Sequence, residues 1–372
     1  MTTTAQAPIL PTYARLGVTF VEGDGAWLVD ADGKRYLDLV AGIAVVGLGH
    51  RHPAPLAAAH AQLDRLWHVS NLFWTEPMYD LAGKLSDRFG GASAFYCNSG
   101  TEAIEAALKW ARKATGRSEL VALENSFHGR TMGALSITGQ PAKRAPFEPL
   151  VPGIRFATPS TLADAVSEQT AAIVLEPVQG EGGVHPLATE TLAEARALAD
   201  AHGALLVFDE IQTGVGRCGT FFAWEHAGVK PDALTLAKGL ANGLPIGVLL
   251  VSDDAPVGFE PGDHGSTFGG NLVSCAAACA VVDAVDDELL GHVREISTHL
   301  FEGLAPFGTA RGRGLLIGLD LDRPAGPVVE AALARGLVVV TAGERTLRLA
   351  PPLTISAAEA AHALGILEEV LA

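Results

Sequence analysis

Short runs of apolar and β-branched residues, separated by helix-like or polar segments, restrict the fold of this chain more than any other feature. Because the runs show almost no alternation of apolar and polar residues, we expect a mostly parallel sheet that is covered on both faces. Apolar residues at helical spacing, such as Ile104, Ala107, Leu108 and Ala111, lie between some runs. This alternation predicts an α/β doubly wound domain. The runs that predict its strands are Ala94–Cys97, Leu120–Leu123, Ala172–Leu175, Leu205–Phe208, Ala233–Leu236 and Val248–Val251.

The pattern changes beyond an Ala-rich stretch at 276–284, and the segments that follow predict a smaller α+β domain. Its predicted strands are Gly314–Leu319, Leu337–Val340 and Thr346–Leu349. Near the start of the chain, Trp27–Asp30 and Arg35–Asp38 flank an Asp-Gly turn, which predicts a hairpin. We expect this hairpin to join the smaller domain. The predicted domains are therefore a segment 1–45 that joins the small domain, a large domain 46–265, and an interdomain helix with the C-terminal small domain at 266–372.

Composition excludes several classes of partner. The 372 residues carry 42 acidic and 26 basic side chains, a net charge of -16 that repels nucleic acid and anionic membranes. No apolar stretch is long enough to span a bilayer, and residues 1–6 lack the pattern of a signal peptide. The four cysteines form no CxxC pair and no side chains have metal-ligand spacing, so we expect a cytoplasmic protein without a metal.

Polar residues follow the first predicted strand at Asn98–Glu102. In open α/β sheets, ligands bind beyond the carboxyl ends of the strands, where this segment lies. Ser99 and Glu102 have the spacing of a capping box, and the free N–H groups of a helix start favour an anion such as phosphate. A well-capped helix without a ligand is the alternative interpretation.

Two charged residues follow later strands. Asp209 comes directly after Leu205–Phe208, where a carboxylate can pair with a protonated pyridine nitrogen, although it can also hold a metal or cap a helix. Lys238 comes after Ala233–Leu236 between apolar residues and glycine, where a desolvated amine would have the lowered pKa of an imine-forming nucleophile. A surface lysine is the alternative. The three features together favour a phosphate-bearing pyridine cofactor.

Ser126–Thr131 follows the strand at Leu120–Leu123. Its Phe127 could stack on a flat cofactor ring, and its Arg130 offers a bidentate fork for a carboxylate. Considered alone, a phenylalanine such as Phe127 is more often a core residue, and an arginine such as Arg130 more often forms a surface salt bridge.

Six motifs appear in order along the chain: Asn98–Ala103, Ser126–Thr131, Leu175–Gly183, Phe208–Gly214, Ala237–Gly239 and Ser266–Asn271. Together they resemble the class III (ornithine-type) aminotransferases of fold type I, over about Tyr13 to Pro352. The resemblance implies a mostly parallel seven-stranded sheet with a smaller α+β domain, pyridoxal 5'-phosphate as cofactor, and a homodimer with shared active sites.

Within that class, Leu66–Phe73 and Phe95–Asn98 resemble the acetylornithine aminotransferase subfamily. This resemblance implies transfer of the δ-amino group of N2-acetyl-L-ornithine to 2-oxoglutarate, giving N-acetyl-L-glutamate 5-semialdehyde and L-glutamate in arginine biosynthesis. A related enzyme that acts on succinyldiaminopimelate, ornithine or 4-aminobutyrate stays open. A non-catalytic protein that kept the fold is the remaining alternative, and the presence of Lys238 argues against it.

The resemblance also implies the contacts to the cofactor ring. Lys238 would bind the cofactor covalently and move the reacting proton. Asp209 would pair with the pyridine nitrogen, Gln212 would contact the ring hydroxyl, and Phe127 would stack on the ring.

Further implied contacts hold the phosphate and the substrate. Gly100 and Thr101 would bind the phosphate, joined by Thr267 from the neighbouring subunit. Arg130 and Ser266 would hold the carboxylate end of the substrate.

One site must accept acetylornithine and then glutamate, which brings a second carboxylate close to the reacting carbon. Arg348 is similar to the family's second arginine, and Glu181 to the glutamate that covers it for one substrate and swings away for the other. We expect this pair to act as a switch, since an uncovered arginine would leave an unpaired cation against acetylornithine.

The chain departs from the family pattern at Phe268, where tyrosine is common, and at Leu272, where proline is common and where we expect a loop.

Overall fold

A computed structural model describes residues 8–371. The expectation that no signal peptide is present, and the first seven residues of the predicted segment 1–45, lie outside that range. Within it the β-strands are β1 Phe20–Asp24, β2 Trp27–Asp30, β3 Arg35–Asp38, β4 Ala92–Cys97, β5 Glu119–Leu123, β6 Ile154–Ala157, β7 Thr170–Leu175, β8 Val178–Gln179, β9 His185–Pro186, β10 Leu205–Asp209, β11 Ala233–Leu236, β12 Gly247–Ser252, β13 Thr309–Arg313, β14 Leu316–Asp320, β15 Leu337–Val338, β16 Val340–Thr341 and β17 Thr346–Leu349.

The α-helices alternate with these strands in the first two thirds of the chain. They are α1 Ala41–Ala44, α2 Pro53–Leu63, α3 Glu76–Phe89, α4 Gly100–Thr115, α5 Met132–Ser136, α6 Pro141–Arg144, α7 Leu162–Ala165, α8 Thr189–His202, α9 Leu272–Ala284, α10 Asp287–Leu304, α11 Gly326–Ala334 and α12 Ala357–Leu371. Among the helices of residues 8–371, none has the length and apolar character needed to cross a membrane.

The largest sheet has seven strands in the order β4-β12-β11-β10-β7-β5-β6. Only β12 runs against the others, since it pairs antiparallel with both β4 and β11 while the remaining pairs are parallel. The predicted mostly parallel sheet is confirmed, and each of the six apolar runs forms a strand of it. The strand β6 was not predicted from the sequence. It is an edge strand in which only Ala157 is fully buried, so it lacks the continuous apolar signal.

Helices cover this sheet through their apolar faces. The residues at helical spacing between the first two strands, Ile104, Ala107, Leu108 and Ala111, are all buried on α4. The side chains of the central strands β7 and β10 are buried along their whole length. Burial on both faces explains why these strands are apolar without alternation.

The other described strands form smaller sheets. The predicted hairpin is β2 and β3, and β3 also pairs with β15, so the start of the chain shares a sheet with a strand near its end. The predicted single strand Leu337–Val340 is wrong in detail, because β15 and β16 belong to two different sheets. The domain boundaries at residues 45 and 265 stay predictions.

Leu272 lies in a helix rather than in the loop that the sequence analysis expected. It is the first residue of α9, and the side chain of Asn271 caps this helix by accepting hydrogen bonds from the N–H groups of Val273 and Ser274. The first position of a helix favours proline but does not require it, so leucine there leaves the cap intact.

Candidate active site

A cavity of about 380 Å³ lies at the carboxyl ends of the parallel strands. Asp209 at the end of β10 is opposite Thr235 of β11, and Lys238 follows β11 directly. Neighbouring parallel strands therefore bring the two predicted charged residues to one place. Of the predicted site residues, those that line the cavity are Gly100, Thr101, Phe127, Arg130, Glu181, Asp209, Gln212 and Lys238.

The carboxylate of Asp209 is buried and accepts three hydrogen bonds. Nδ1 of His128 lies 2.7 Å from its Oδ2, while the N–H of Ile211 and the hydroxyl of Thr235 donate to Oδ1 at 3.1 and 3.3 Å. Burial opposes the charged form of His128, but the hydrogen bond to Asp209 and its negative charge outweigh that cost and raise the His128 pKa. The floor of the cavity therefore holds a fixed carboxylate that can face a cation.

Lys238 begins a short 3-10 turn with a φ of 41°, in the left-handed region that few residues other than glycine adopt. Burial lowers the pKa of its amine, and the positive charge of Arg348 acts in the same direction against the attraction of Glu181. A strained backbone and a destabilised charge are both typical of a functional lysine.

The turn before α4 has the predicted cap at Ser99, whose hydroxyl accepts a hydrogen bond from the N–H of Glu102. The predicted capping box is shifted by one residue. The carboxylate of Glu102 accepts from the hydroxyl of Ser99 at 2.9 Å, but the backbone N–H that donates to it is that of Asn98, at 2.8 Å. The N–H groups of Gly100 and Thr101 lie in the first helical turn, where the helix supplies no acceptor. They form a donor site for an anion at the cavity wall.

A buried glutamate fixes the loop that carries Phe127. Glu176, which follows β7, accepts hydrogen bonds from the N–H of Phe127 at 2.9 Å and from the N–H of Gly180 at 3.2 Å. Burial raises the pKa of Glu176 to about 7, against the attraction of His128. One carboxyl group thus joins the aromatic wall of the cavity to the loop that contains Glu181.

Glu181 pairs with Arg348, whose guanidinium is buried on β17. Burial alone would raise the pKa of Glu181, but the charge and the hydrogen bond of Arg348 lower it. Gln212 extends this cluster, with its Nε2 3.5 Å from Glu181 and its Oε1 3.5 Å from Nη1 of Arg348. The structure therefore places Arg348 behind Glu181, covered by it, and not on the cavity surface.

Arg130, by contrast, is exposed and lines the cavity with its guanidinium carbon 5.6 Å from the ring centre of Phe127. Two other predicted residues lie outside the cavity of this chain. The hydroxyl of Ser266 accepts hydrogen bonds from Asn98 at 3.0 Å and from the N–H of Gly269 at 3.1 Å, and Thr267 is exposed.

The cavity fits a flat cofactor that carries an anion and a ring nitrogen. Its wall has free helix N–H groups for the anion, Phe127 as an aromatic surface, and Asp209 as a fixed carboxylate. Lys238 supplies an amine with a lowered pKa in the same cavity. In residues 8–371 no group of three or more His, Cys, Asp or Glu side chains is arranged to hold a metal ion.

Three residues that the structure connects with the site had no role predicted from the sequence. His128 and Glu176 lie inside the quoted motifs, and the position of His128 next to Phe127, a predicted cofactor contact, was a usable signal. Lys143 gave no such signal, because it belongs to the short helix α6 and only the fold brings its amine to 5.4 Å from the ring centre of Phe127.

Comparisons with known proteins agree with this geometry. The sequence model of the aminotransferase class-III family matches residues 11–371. The chain is 47% identical to a protein named acetylornithine aminotransferase from Corynebacterium efficiens, over 98% of this chain and 95% of the relative. Its fold is similar to the crystal structure of N-acetylornithine aminotransferase from Stenotrophomonas maltophilia, with a TM-score of 0.84, 35% identity, and coverage of 96% of each chain. It is also similar to the ornithine aminotransferase of Toxoplasma gondii, whose structure shows partial occupancy of PLP, with a TM-score of 0.94, 30% identity, and coverage of 98% of this chain and 91% of that one.

Proposed function

The chain belongs to the class-III aminotransferase family, and from that premise we propose that it moves the δ-amino group of N2-acetyl-L-ornithine to 2-oxoglutarate. The products are N-acetyl-L-glutamate 5-semialdehyde and L-glutamate, and the reaction belongs to arginine biosynthesis. The near-full-length similarity to acetylornithine aminotransferases carries this assignment. The two arginines support this assignment: Arg348 is paired with Glu181, whereas Arg130 lines the cavity. One paired and one available arginine suit two substrates that differ by one carboxylate.

Enzymes of this family depend on pyridoxal 5'-phosphate, which supplies an aldehyde for the amino group and a ring that accepts electrons from the reacting carbon. Lys238 would hold the cofactor through its amine, and the same amine would accept the proton of the donor's δ-carbon. Its lowered pKa favours this step, because the amine must be neutral to accept a proton.

The other side chains of the cavity would hold the ring in place for that proton transfer. Asp209, whose carboxylate lies 2.7 Å from Nδ1 of His128, would pair with the ring nitrogen and keep it protonated. Phe127 would stack on the ring, and Gln212 would contact the ring hydroxyl. The N–H groups of Gly100 and Thr101, with the hydroxyl of Thr101, would bind the phosphate.

Two arginines bind the substrates. Arg130 takes the α-carboxylate of acetylornithine or the distal carboxylate of glutamate. Glu181 neutralises Arg348 while acetylornithine is bound and releases it for the α-carboxylate of glutamate. The switch avoids leaving a buried arginine without a partner in either state.

We also propose a homodimer in which each chain contributes to the other's site. Thr267 would bind the phosphate of the neighbouring subunit, and Ser266 would reach the neighbour's substrate carboxylate, because neither residue lines the cavity of its own chain. Exposed large apolar residues surround this loop: Trp67 is 66% exposed, Phe73 65% and Phe268 60%. A surface patch of this kind is typical of a protein interface.

We propose that the enzyme is cytoplasmic. All four cysteines are free thiols, and burial raises the pKa of each, to about 12 for Cys97 and Cys275. Unpaired thiols fit a reducing compartment.

A panel of amino donors with 2-oxoglutarate as acceptor tests the substrate. Acetylornithine should give the highest kcat/KM among acetylornithine, succinyldiaminopimelate, ornithine and 4-aminobutyrate, and glutamate should accumulate in step with the semialdehyde. A clear preference for any of the other three donors would replace the assignment. Failure of all four donors with cofactor-loaded protein would refute the proposed reaction.

A further inference from the structure

Two cations lie beside the same aromatic ring of the cavity. The guanidinium carbon of Arg130 is 5.6 Å from the ring centre of Phe127, and Nζ of Lys143 is 5.4 Å from it. The Lys143 amine donates a hydrogen bond to the side-chain oxygen of Gln140, a neutral acceptor. In residues 8–371 no carboxylate forms an ion pair with either cation, and Glu181, the acid whose charge acts on Lys143, is itself paired with Arg348.

The acids that line the cavity already have partners. Glu181 is paired with Arg348, and Asp209 is bonded to His128. Glu176 accepts two backbone hydrogen bonds, from Phe127 and Gly180. The lining offers no free carboxylate to balance a further cation near Phe127.

We propose that Lys143, together with Arg130, selects ornithine derivatives with an acylated α-nitrogen against free ornithine. The inference rests on the proposed function, in which the α-carbon end of the donor lies at Arg130. Free ornithine brings an α-ammonium group to this end. Its α-carboxylate pairs with Arg130, but the charge of Lys143, which has no carboxylate partner, repels the ammonium group. Acylation makes that nitrogen neutral, and the α-carboxylate keeps its attraction to Arg130.

The environment of Lys143 itself supports this reasoning. Burial lowers the pKa of its amine, and the positive charges of Arg130 and Arg348 lower it further, with Glu181 opposing them. An added cation near Lys143 therefore meets the same unfavourable potential. Because Lys143 does not line the cavity, it acts through its charge and is a specificity residue, not a catalytic one.

The variants Lys143→Gln and Lys143→Arg separate charge from packing. Lys230→Gln is the matched control, because Lys230 also places its amine over a phenylalanine, 4.7 Å from the ring centre of Phe89, next to a backbone oxygen acceptor at Gly90. It precedes β11, whereas the cavity lies at the opposite end of that strand. The quantity measured is kcat/KM for ornithine divided by kcat/KM for acetylornithine.

Removal of the Lys143 charge should raise this ratio by about tenfold, mainly through a lower KM for ornithine. Lys143→Arg and Lys230→Gln should leave the ratio at the wild-type value. Added salt should bring the ratios of wild type and Lys143→Gln closer together, because it screens the charge of Lys143. An unchanged ratio in Lys143→Gln, or an equal change in Lys143→Arg, would overturn the inference. If wild type does not convert acetylornithine at all, the proposed function has failed, which is a distinct outcome.

Discussion

Nδ1 of His128 lies 2.7 Å from Oδ2 of Asp209, and both side chains are buried at the end of β10. The pair joins the loop after β5 to the strand that carries the carboxylate, so its charge state affects the stability of the fold as well as the site.

Replacement of His128 should therefore give a pH-dependent loss of stability. Because the His128 pKa is raised above its ordinary value of 6.5, the pair stabilises the folded chain fully below pH 6.5, and this contribution is lost as the pH rises through the raised value. His128→Asn should lower the unfolding free energy by about 2 kcal/mol in acid and by less in alkali. Thermal unfolding from pH 6 to 9 measures the difference, and His60→Asn, which replaces an exposed histidine on α2, is the control. If the difference in unfolding free energy between wild type and His128→Asn instead grew as the pH rose, the proposed role of the His128–Asp209 pair would be wrong.

Removal of the Lys238 amine should abolish turnover without unfolding the protein. Lys238→Ala should lower kcat by about a thousandfold or more, because no other residue is proposed to move the proton. The measurements are steady-state turnover, covalent retention of cofactor after borohydride treatment, and the far-UV circular dichroism spectrum. Retained turnover in a folded variant would refute the proposed mechanism.

The switch predicts a change in substrate preference from Glu181→Gln. Loss of the negative charge leaves Arg348 uncovered, so the kcat/KM for acetylornithine should fall relative to that for glutamate by about tenfold. The two half-reactions are followed separately by single-turnover absorbance of the cofactor. An unchanged ratio of the two substrates would show that Glu181 does not control Arg348.

Gly180 leaves room for Gln212, which gives a test based on packing. A Cβ atom at position 180 would lie 2.6 Å from Cδ of Gln212 and closer still to its Oε1, so Gly180→Ala must displace that side chain. Overpacking of this kind costs about 1–3 kcal/mol, and we expect weaker cofactor binding in titrations followed by fluorescence. Gly83→Ala on α3, where nothing lies within 4 Å of the added atom, should bind cofactor as wild type does. Equal affinities for the two variants would mean that Gln212 does not contact the cofactor.

Mixing two impaired chains tests the shared sites. In a heterodimer of Lys238→Ala and Thr267→Ala chains, one site would combine the intact Lys238 with the intact Thr267, since the two residues come from different subunits. Random exchange should then restore about a quarter of the wild-type sites, and activity should exceed the average of the two homodimers. Activity equal to that average, after exchange verified by native mass spectrometry, would place Thr267 in the site of its own chain.

The amino-acid sequence by itself determined the elements and the order of the chemical groups. Apolar runs such as Ala233–Leu236 form strands because burial on both faces requires continuous apolarity, and this pattern is visible in one dimension. Asp209 and Lys238 were predictable because the carboxyl ends of adjacent parallel strands place residues at one edge. Where exposed residues interrupt the apolar run, as in β6, the sequence signal was too weak to predict a strand.

Only the tertiary structure decided which groups pair and which stay free. Glu181 covers Arg348 across 167 positions of sequence, and Lys143 reaches the ring of Phe127 from a separate short helix. Such contacts depend on how loops pack after the sheet has formed, and their energies depend on burial and on neighbouring charges. Neither quantity is encoded in local residue patterns. The pairing of Glu181 with Arg348 was therefore expected only from the family resemblance, and the position of Lys143 had to come from the fold.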